Sequence, residues 1–345
     1  MAENNKHQTS NNKQMKSTEY IIVGQGLAGT LISFELLKKG KSFIVFDEQK
    51  ENTSSKICGG MYTPISGKRM TKSKGIDELL DLARNTYREL EKFLGIQILN
   101  EKNIYAVFGS VKEQNDLTLK LDNENFSKHI NLQPQVQENI KQTFGAFEIN
   151  GSGRVDVKKL LDAMKHKLEE SNQYITEKFD YSLLENVDGK WKYKNIEAST
   201  IIFCEGVNAT ENPFFPNLPF RFCKGDVLTI KSEQLKTDRV IKKGIGILHL
   251  HDDIFKIGST YEWNDLSEAP TEAGKNMLLK KLDELIDVPY TIIKHEAAVR
   301  PSSITREPFI KIHPEHKNMF MLNGLGTKGV MTGPWWVNQM MKNNN

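Results

Sequence analysis

Hydrophobic and polar positions alternate with several different periods along this chain, and each change of period predicts an element. Tyr20-Ile21-Ile22-Val23 is a β-branched apolar run and predicts a buried strand. Leu27, Leu31, Phe34 and Leu37 then recur at helical spacing, with Lys38, Lys39 and Gly40 placed to close that helix. Phe43-Ile44-Val45-Phe46 predicts a second strand, ending in Asp47. After a polar loop, Ile76, Leu79, Leu80, Leu82, Ala83, Tyr87, Leu90, Phe93 and Leu94 mark an amphipathic helix over 76–94. From residue 96 to 149 the pattern shortens to strands such as 104–108, with mixed loop and helix over 122–142. Leu160, Leu161, Met164 and Leu168 restore the helical period. A strand near 174–176 and a hairpin around Asp188-Gly189 follow, then a strand from Thr200 into Gly206. A second β-rich block runs from 220 to 257, and a helix is expected over 272–285. The last pattern is a strand, Phe320-Met321-Leu322, a glycine-rich turn, and a helix face carrying Trp335, Trp336, Val337 and Met340.

This ordering predicts an α/β (α+β) protein in which a Rossmann-like nucleotide domain is discontinuous. Its parts are 18–95, 151–215 and 300–345, interrupted by a β-rich substrate domain at 96–150 and 216–299. Residues 1–17 are rich in Asn, Gln and Lys and read as a disordered tail rather than a signal peptide.

Composition narrows the class. A chain of 345 residues has ample material for a core. Its mean hydropathy is −0.50, and no apolar run approaches the roughly 20 residues of a membrane helix. A net charge of +3 is too small to argue for a nucleic-acid partner. Cys58, Cys204 and Cys223 show no metal spacing, and without an export signal they read as reduced thiols in the cytoplasm. His249 and His251 alternate on one strand with no third ligand nearby, so paired surface histidines are favoured over a metal site.

The chemistry begins at Gly24-Gln25-Gly26-Leu27-Ala28-Gly29, between the first strand and the first helix. Gly24 allows the tight turn, Gly26 lets backbone approach a pyrophosphate, and Gly29 lets helix and strand pack closely. The amides of Leu27 and Ala28 open a helix N-terminus, which favours phosphate, while Asp47 can accept from ribose hydroxyls. The motif alone leaves NAD and FAD both open. Gly59-Gly60-Met61, Gly206, and Gly324 through Gly326-Thr327-Lys328-Gly329 are further glycine turns, in the middle and at the end of the chain. A plain NAD domain would be contiguous; this layout is that of a flavoprotein.

In this order the motifs resemble FAD-dependent oxidoreductases of the D-amino-acid oxidase and glycine oxidase type. Within that family the likeness runs toward the flavin domain of the bacterial bifunctional enzyme that trims carboxymethylaminomethyl-thiouridine in tRNA. It covers about 19–340 and rests on 24–29, 59–64, 258–262, Arg300-Pro301 and 323–329. Thr305 and Lys311 depart from it, standing where family members often carry Asp and Gly. The resemblance implies noncovalent FAD, since no cysteine lies near the last glycine turn. It also implies oxidation of a C–H bond beside an amine by hydride transfer to flavin, with a small amine or amino-acid substrate. On that basis Gly59, Gly60 and Met61 meet the isoalloxazine, and Gly324, Gly326, Thr327, Lys328 and Gly329 bring positive charge to its pyrimidine end. Arg300 would fork onto a substrate carboxylate, the alternative being a structural ion pair. Tyr62 and Tyr261 are weaker candidates for substrate contact. A stand-alone tRNA wobble-uridine modifying oxidoreductase, and a flavin-binding protein without turnover, remain as alternatives.

Overall fold

The computed structural model describes residues 15–67, 69–72 and 75–342. The first strand, β1 (Lys16–Val23), is followed by helix α1 (Leu27–Lys38) and strand β2 (Phe43–Asp47). β2 pairs parallel to one side of β1, and Ile196–Phe203 pairs parallel to the other. Tyr174–Thr176 extends this parallel sheet beyond β2, and Met319–Asn323 extends it beyond Ile196–Phe203. All of these strands end on the same side. Val23, Asp47, Phe203 and Asn323 therefore bring their carboxyl ends to one crevice, where α/β sheets bind ligands.

The expected tail reaches residue 17, but only 1–14 lie outside the described residues. Lys16, Ser17 and Thr18 already pair with Ile196, Glu197 and Ala198. Backbone pairing needs no apolar side chain where a strand end faces solvent, so polarity concealed the start of β1.

Two cores flank this sheet. On one face, α1 packs with the helices Ile76–Leu94, Val157–Glu170 and Gly329–Lys342. α1 is buried nearly all round, including Ile32 and Leu36, because those helices cover its far side. On the other face, Trp191, Tyr193, Phe179, Phe203 and Phe215 form an aromatic cluster under the hairpin Leu184–Val187/Lys190–Tyr193. Asp188 and Gly189 turn that hairpin at positive φ, as their sequence predicts.

A second large sheet forms the β-rich part. Its strands run in the order Thr291–Ser303, Phe220–Lys231, Ile254–Gly258, Ile245–His251, Ile241–Lys243, Ile104–Val107, Ala146–Ile149, Ile130–Asn131. Glu272–Asp283 packs beneath it, capped by the Thr271 hydroxyl, over Leu228, Ile230, Ile247 and Ile257. Thr291–Ser303 runs without a break through the expected boundary at 299/300 and pairs with Phe220–Lys231 throughout. Arg300 therefore stands on the sheet of the β-rich part. The strand bulges between His249 and His251, and both bond within their own turn, to Asp252. The helix Val111–Thr118 was not legible as one: its buried face holds a single residue, Leu117.

Candidate active site

A cleft of about 1100 Å³ lies between the carboxyl ends of the first sheet and one face of the second. At one end are Gly24, Gly26, Leu27, Ala28 and Asp47. Gly24 has φ +96°, and a Cβ there would sit 2.5 Å from the Cys204 carbonyl oxygen. At Gly29 a Cβ would lie 1.9 Å from the Gly24 carbonyl, so the helix meets the strand only because that position is glycine. Gly26 carries no side-chain cap for α1, and the Leu27 amide donates to Ser55 Oγ at 3.1 Å. Asp47 accepts from the Gln25 amide at 2.7 Å and the Gln49 amide at 2.8 Å, one on each carboxylate oxygen. Oδ1 also accepts from Gln49 Nε2 and Tyr174 Oη at 3.3 Å each, so Oδ2, bonded by the Gln25 amide, is the oxygen that keeps a second lone-pair direction for a hydroxyl donor.

Gly206, at φ +60°, forms the next part of the wall, and its carbonyl accepts from Asn323 Nδ2 at 2.9 Å. The preceding residue, Glu205, accepts from Tyr181 Oη at 2.5 Å and Asn212 Nδ2 at 2.8 Å. Burial nevertheless raises its pKa to about 7, with Glu211 adding repulsion against those two bonds. Sequence reasoning passed over Glu205, and over Ser55, because neither belongs to a spaced motif.

Beside the start of α1 the chain passes through Gly324, Leu325, Gly326 and Thr327 into the helix Gly329–Lys342. A Cβ at Gly333 would press within 2.9 Å of Leu31 on α1, and one at Gly329 would be 3.6 Å from Leu27. These glycines let the two helices start side by side, so two helix N-termini face one cleft. The Lys328 side chain is exposed and Lys328 does not line the cleft, whereas its neighbours Leu325, Gly326, Thr327 and Gly329 do.

Gly59, Gly60 and Met61 line the cleft, whereas Tyr62 does not. In the strand Met61–Tyr62 successive side chains point to opposite faces, which sends Met61 inward and Tyr62 into the helical core. Tyr62 is 2% exposed there and its hydroxyl has no partner among the described residues. Gly60 is held to glycine by φ +66° and by the Val155 carbonyl oxygen, which would lie 1.9 Å from a Cβ. Cys58 is exposed and faces the cleft, where Gly59 and Gly60 turn the chain. Its thiol donates to the Ser55 carbonyl at 3.2 Å, and desolvation pushes its pKa up.

Arg300 lies over the far part of the cleft. Gly225 on the neighbouring strand leaves the room it occupies: a Cβ there would be 2.0 Å from Nη2. The guanidinium donates to Ser259 Oγ and, at 3.4 Å each, to the carbonyls of Cys223, Lys224 and Thr260. It stacks on Tyr261 at 4.8 Å from the ring centroid. Among the described residues it has no carboxylate within ion-pair distance, so the expected structural alternative for Arg300 is not found. Thr305 and Lys311, where the sequence departs from the family pattern, do not line the cleft. Thr305 bonds Ser303 at 3.2 Å, and Lys311 stands exposed on the edge strand Phe309–Ile312.

Residues 19–336 match the family model described as FAD dependent oxidoreductase, the DAO family. The chain belongs to this family. A DAO-family enzyme is an FAD-dependent oxidoreductase, and the mixed α/β fold with its Rossmann-like domain agrees with it. Similar solved structures include glycine oxidase from Geobacillus kaustophilus, at 19% identity and TM-score 0.79, covering 95% of this chain and 94% of that one. Iminodiacetate oxidase from Chelativorans sp. BNC1 is 18% identical with TM-score 0.76, over 93% and 94% of the two chains. L-alpha-glycerophosphate oxidase from Mycoplasma pneumoniae, solved with FAD bound, is 15% identical with TM-score 0.75, over 95% and 94%. The cofactor of the DAO family is FAD, and this cleft fits it. The turn at Gly24 through Gly29, the Ala28 amide at the start of α1 and the acceptor Asp47 suit an ADP group. A second helix starts at Gly329 beside the first and faces the same cleft. Among the described residues no helix is long and apolar enough to cross a membrane.

Proposed function

We propose that this enzyme oxidises the C–H bond next to the amine of a small amino acid or N-substituted glycine, with Arg300 holding the substrate carboxylate. The observation that carries this is Arg300 itself. It is a guanidinium fixed by carbonyls, with no acid to neutralise it, in a cleft built for a dinucleotide. A bidentate carboxylate would satisfy it and orient the carbon to be oxidised. FAD, when bound, accepts the hydride, and the imine left behind hydrolyses in water. Gly24, Gly26, Gly29 and Asp47 hold the ADP half, and the backbone of Gly326 and Thr327 offers its dipole to the other end. Tyr261, lying against the guanidinium, limits how the carboxylate enters.

The cofactor is held without a covalent bond in this reading. Cys58 and Cys204 line the cleft, and desolvation raises the pKa of both thiols, which makes each a poor nucleophile. An anaerobic screen of the yellow protein against amino acids, N-methylated glycines and proline analogues tests the proposal. Bleaching by a carboxylate-bearing amine, but not by the matching amine without the carboxylate, is expected. A flavin that none of them reduces would leave a flavin-binding protein without turnover.

A tRNA side-chain substrate is a second reading, favoured by one observation: Lys242, Lys243 and Lys281 line the same cleft. It requires tRNA nucleoside profiles to change when the gene is deleted, and unchanged profiles dismiss it.

A further inference from the structure

Asp47, Glu48, Glu205 and Glu211 line the cleft together with Lys50 and Lys178, whereas the second sheet contributes Lys242, Lys243 and Lys256, with Glu113 lining the cleft beyond the strand Ile104–Val107. Lys242, Lys243 and Lys281 have no hydrogen-bond or ion-pair partner among the described residues, and Lys242 is half-buried on the face of the sheet that lines the cleft. Lys256 donates to the Ile57 carbonyl at 3.1 Å, and Lys50 pairs with Glu268. Burial pushes the Lys242 ammonium below the usual lysine range with no acid near enough to oppose it. A desolvated, unpartnered ammonium is costly, and such groups persist where a ligand supplies the missing charge.

The sheet register shows what lies beside it. Val227, Gly258, Gly246 and Lys242 stand opposite one another across four adjacent strands, on the face that lines the cleft. The adjacent residues Ile241, Ile247 and Ile257 point the other way, into the core over the helix Glu272–Asp283. Gly246 and Gly258 keep the floor of this row low, with Val227 Cγ1 against Gly258 and Leu248 and Met61 beside Gly246, and the row runs from Lys242 toward the edge strand of Arg300. Four strand spacings and an offset of four residues along the strand, from Glu296 opposite Val227 to Arg300, separate the two backbones by roughly 23 Å for a flat sheet, and the two long side chains close about half of that.

Building on the reading of Arg300 given above, we propose that the substrate carries a second anionic group, a carboxylate or a phosphate, bound by Lys242 at the far end of this row. The substrate is thus an extended amino acid with an acid at each end, rather than glycine or sarcosine. The amine lies between the two anions, within reach of the cofactor, and Lys243 and Lys281 at the mouth draw the anion inward.

Calorimetry on the flavin-loaded protein tests this with thioethers, which replace the amine by sulfur and cannot undergo the amine oxidation. The three probes are 6-(carboxymethylthio)hexanoate, 5-(carboxymethylthio)pentyl phosphate and (hexylthio)acetate. At least one doubly anionic probe is expected to bind about tenfold or more tighter than (hexylthio)acetate, and which one wins identifies the anion. Lys242→Met should collapse that ratio to near one, and Lys242→Arg should restore most of it. Equal affinities in the unaltered protein, or a ratio that survives Lys242→Met, would overturn the inference. Arg300→Met separates this from the site reading: it should weaken all three probes together. If it weakens none, the role of Arg300 falls, whatever the ratio at Lys242.

Discussion

Replacing Glu205 with Gln should remove a specific part of the enzyme's loss of stability on going from acid to neutral pH. The carboxyl is bonded by Tyr181 and Asn212, yet its burial holds the pKa at about 7, against 4.5 in the unfolded chain. The folded protein therefore keeps a proton that the unfolded chain has already released. The stabilisation from that proton is fully present below pH 4.5 and disappears as pH rises through 7. Between pH 5 and pH 8 linkage makes this about 2.5 kcal/mol, and about 2 once water in the open cleft is allowed for. Gln keeps the acceptor for Asn212 and cannot ionise. Urea unfolding of both proteins at the two pH values, at one FAD concentration, measures the difference. Other titrating groups, such as His129, whose pKa burial lowers, cancel in the comparison. The unaltered protein should lose roughly 2 kcal/mol more than Glu205→Gln over this interval. Equal losses in the two proteins would refute the reasoning, since the carboxylate would then be ionised in the folded state throughout.

Arg300→Lys should raise KM for a carboxylate-bearing amine by about 10–100-fold, because an ammonium cannot replace two forked bonds worth roughly 1.5–3 kcal/mol; steady-state kinetics read this directly. Tyr62→Phe should leave kcat unchanged and the protein as stable or about 1 kcal/mol more so, since the lost hydroxyl is buried without a partner; a large drop in kcat would return Tyr62 to the site. Gly29→Ala forces a methyl group against the Gly24 carbonyl and should cost about 1–3 kcal/mol or more; the visible flavin absorbance of the purified variant should fall with it. Acid precipitation of the yellow protein should leave the flavin in the supernatant, and yellow in the pellet would contradict noncovalent binding.

Much of the nucleotide half is legible in the sequence because its signals are local. Strand, glycine turn, helix and acid follow within 20–47; Gly24 and Gly29 have contacts that forbid a Cβ, and Gly24 and Gly40 have a positive φ. Arg300 is singled out only by the family resemblance at Arg300-Pro301, since the sequence leaves a structural ion pair with a nearby acid open. The misreadings have one physical source, the direction of side chains. Tyr62 and Met61 are adjacent, and only strand alternation decides which enters the cleft. Lys328 lies inside a motif whose neighbouring residues line the cleft while Lys328 itself does not. Lys242 looks like one of two surface lysines before Gly244, until its pairing with Gly246 and Ala106 shows which face it shares. Glu205 gives no signal of its own, because its environment is assembled by Tyr181 and Asn212 from elsewhere in the chain.

The contact of Gly333 with Leu31, and of Gly329 with Leu27, joins the first helix of the chain to the last. On the ribosome α1 emerges early, with its N-terminus exposed and the face meant for the last helix bare. At roughly 5–20 residues per second its partner arrives on the order of tens of seconds later. During that interval no intermediate can own a complete cofactor cradle, however well its first half has formed. Flavin capture is thus a late event of synthesis, and a chain interrupted before Gly329 presents an apolar helix face that nothing of its own can cover.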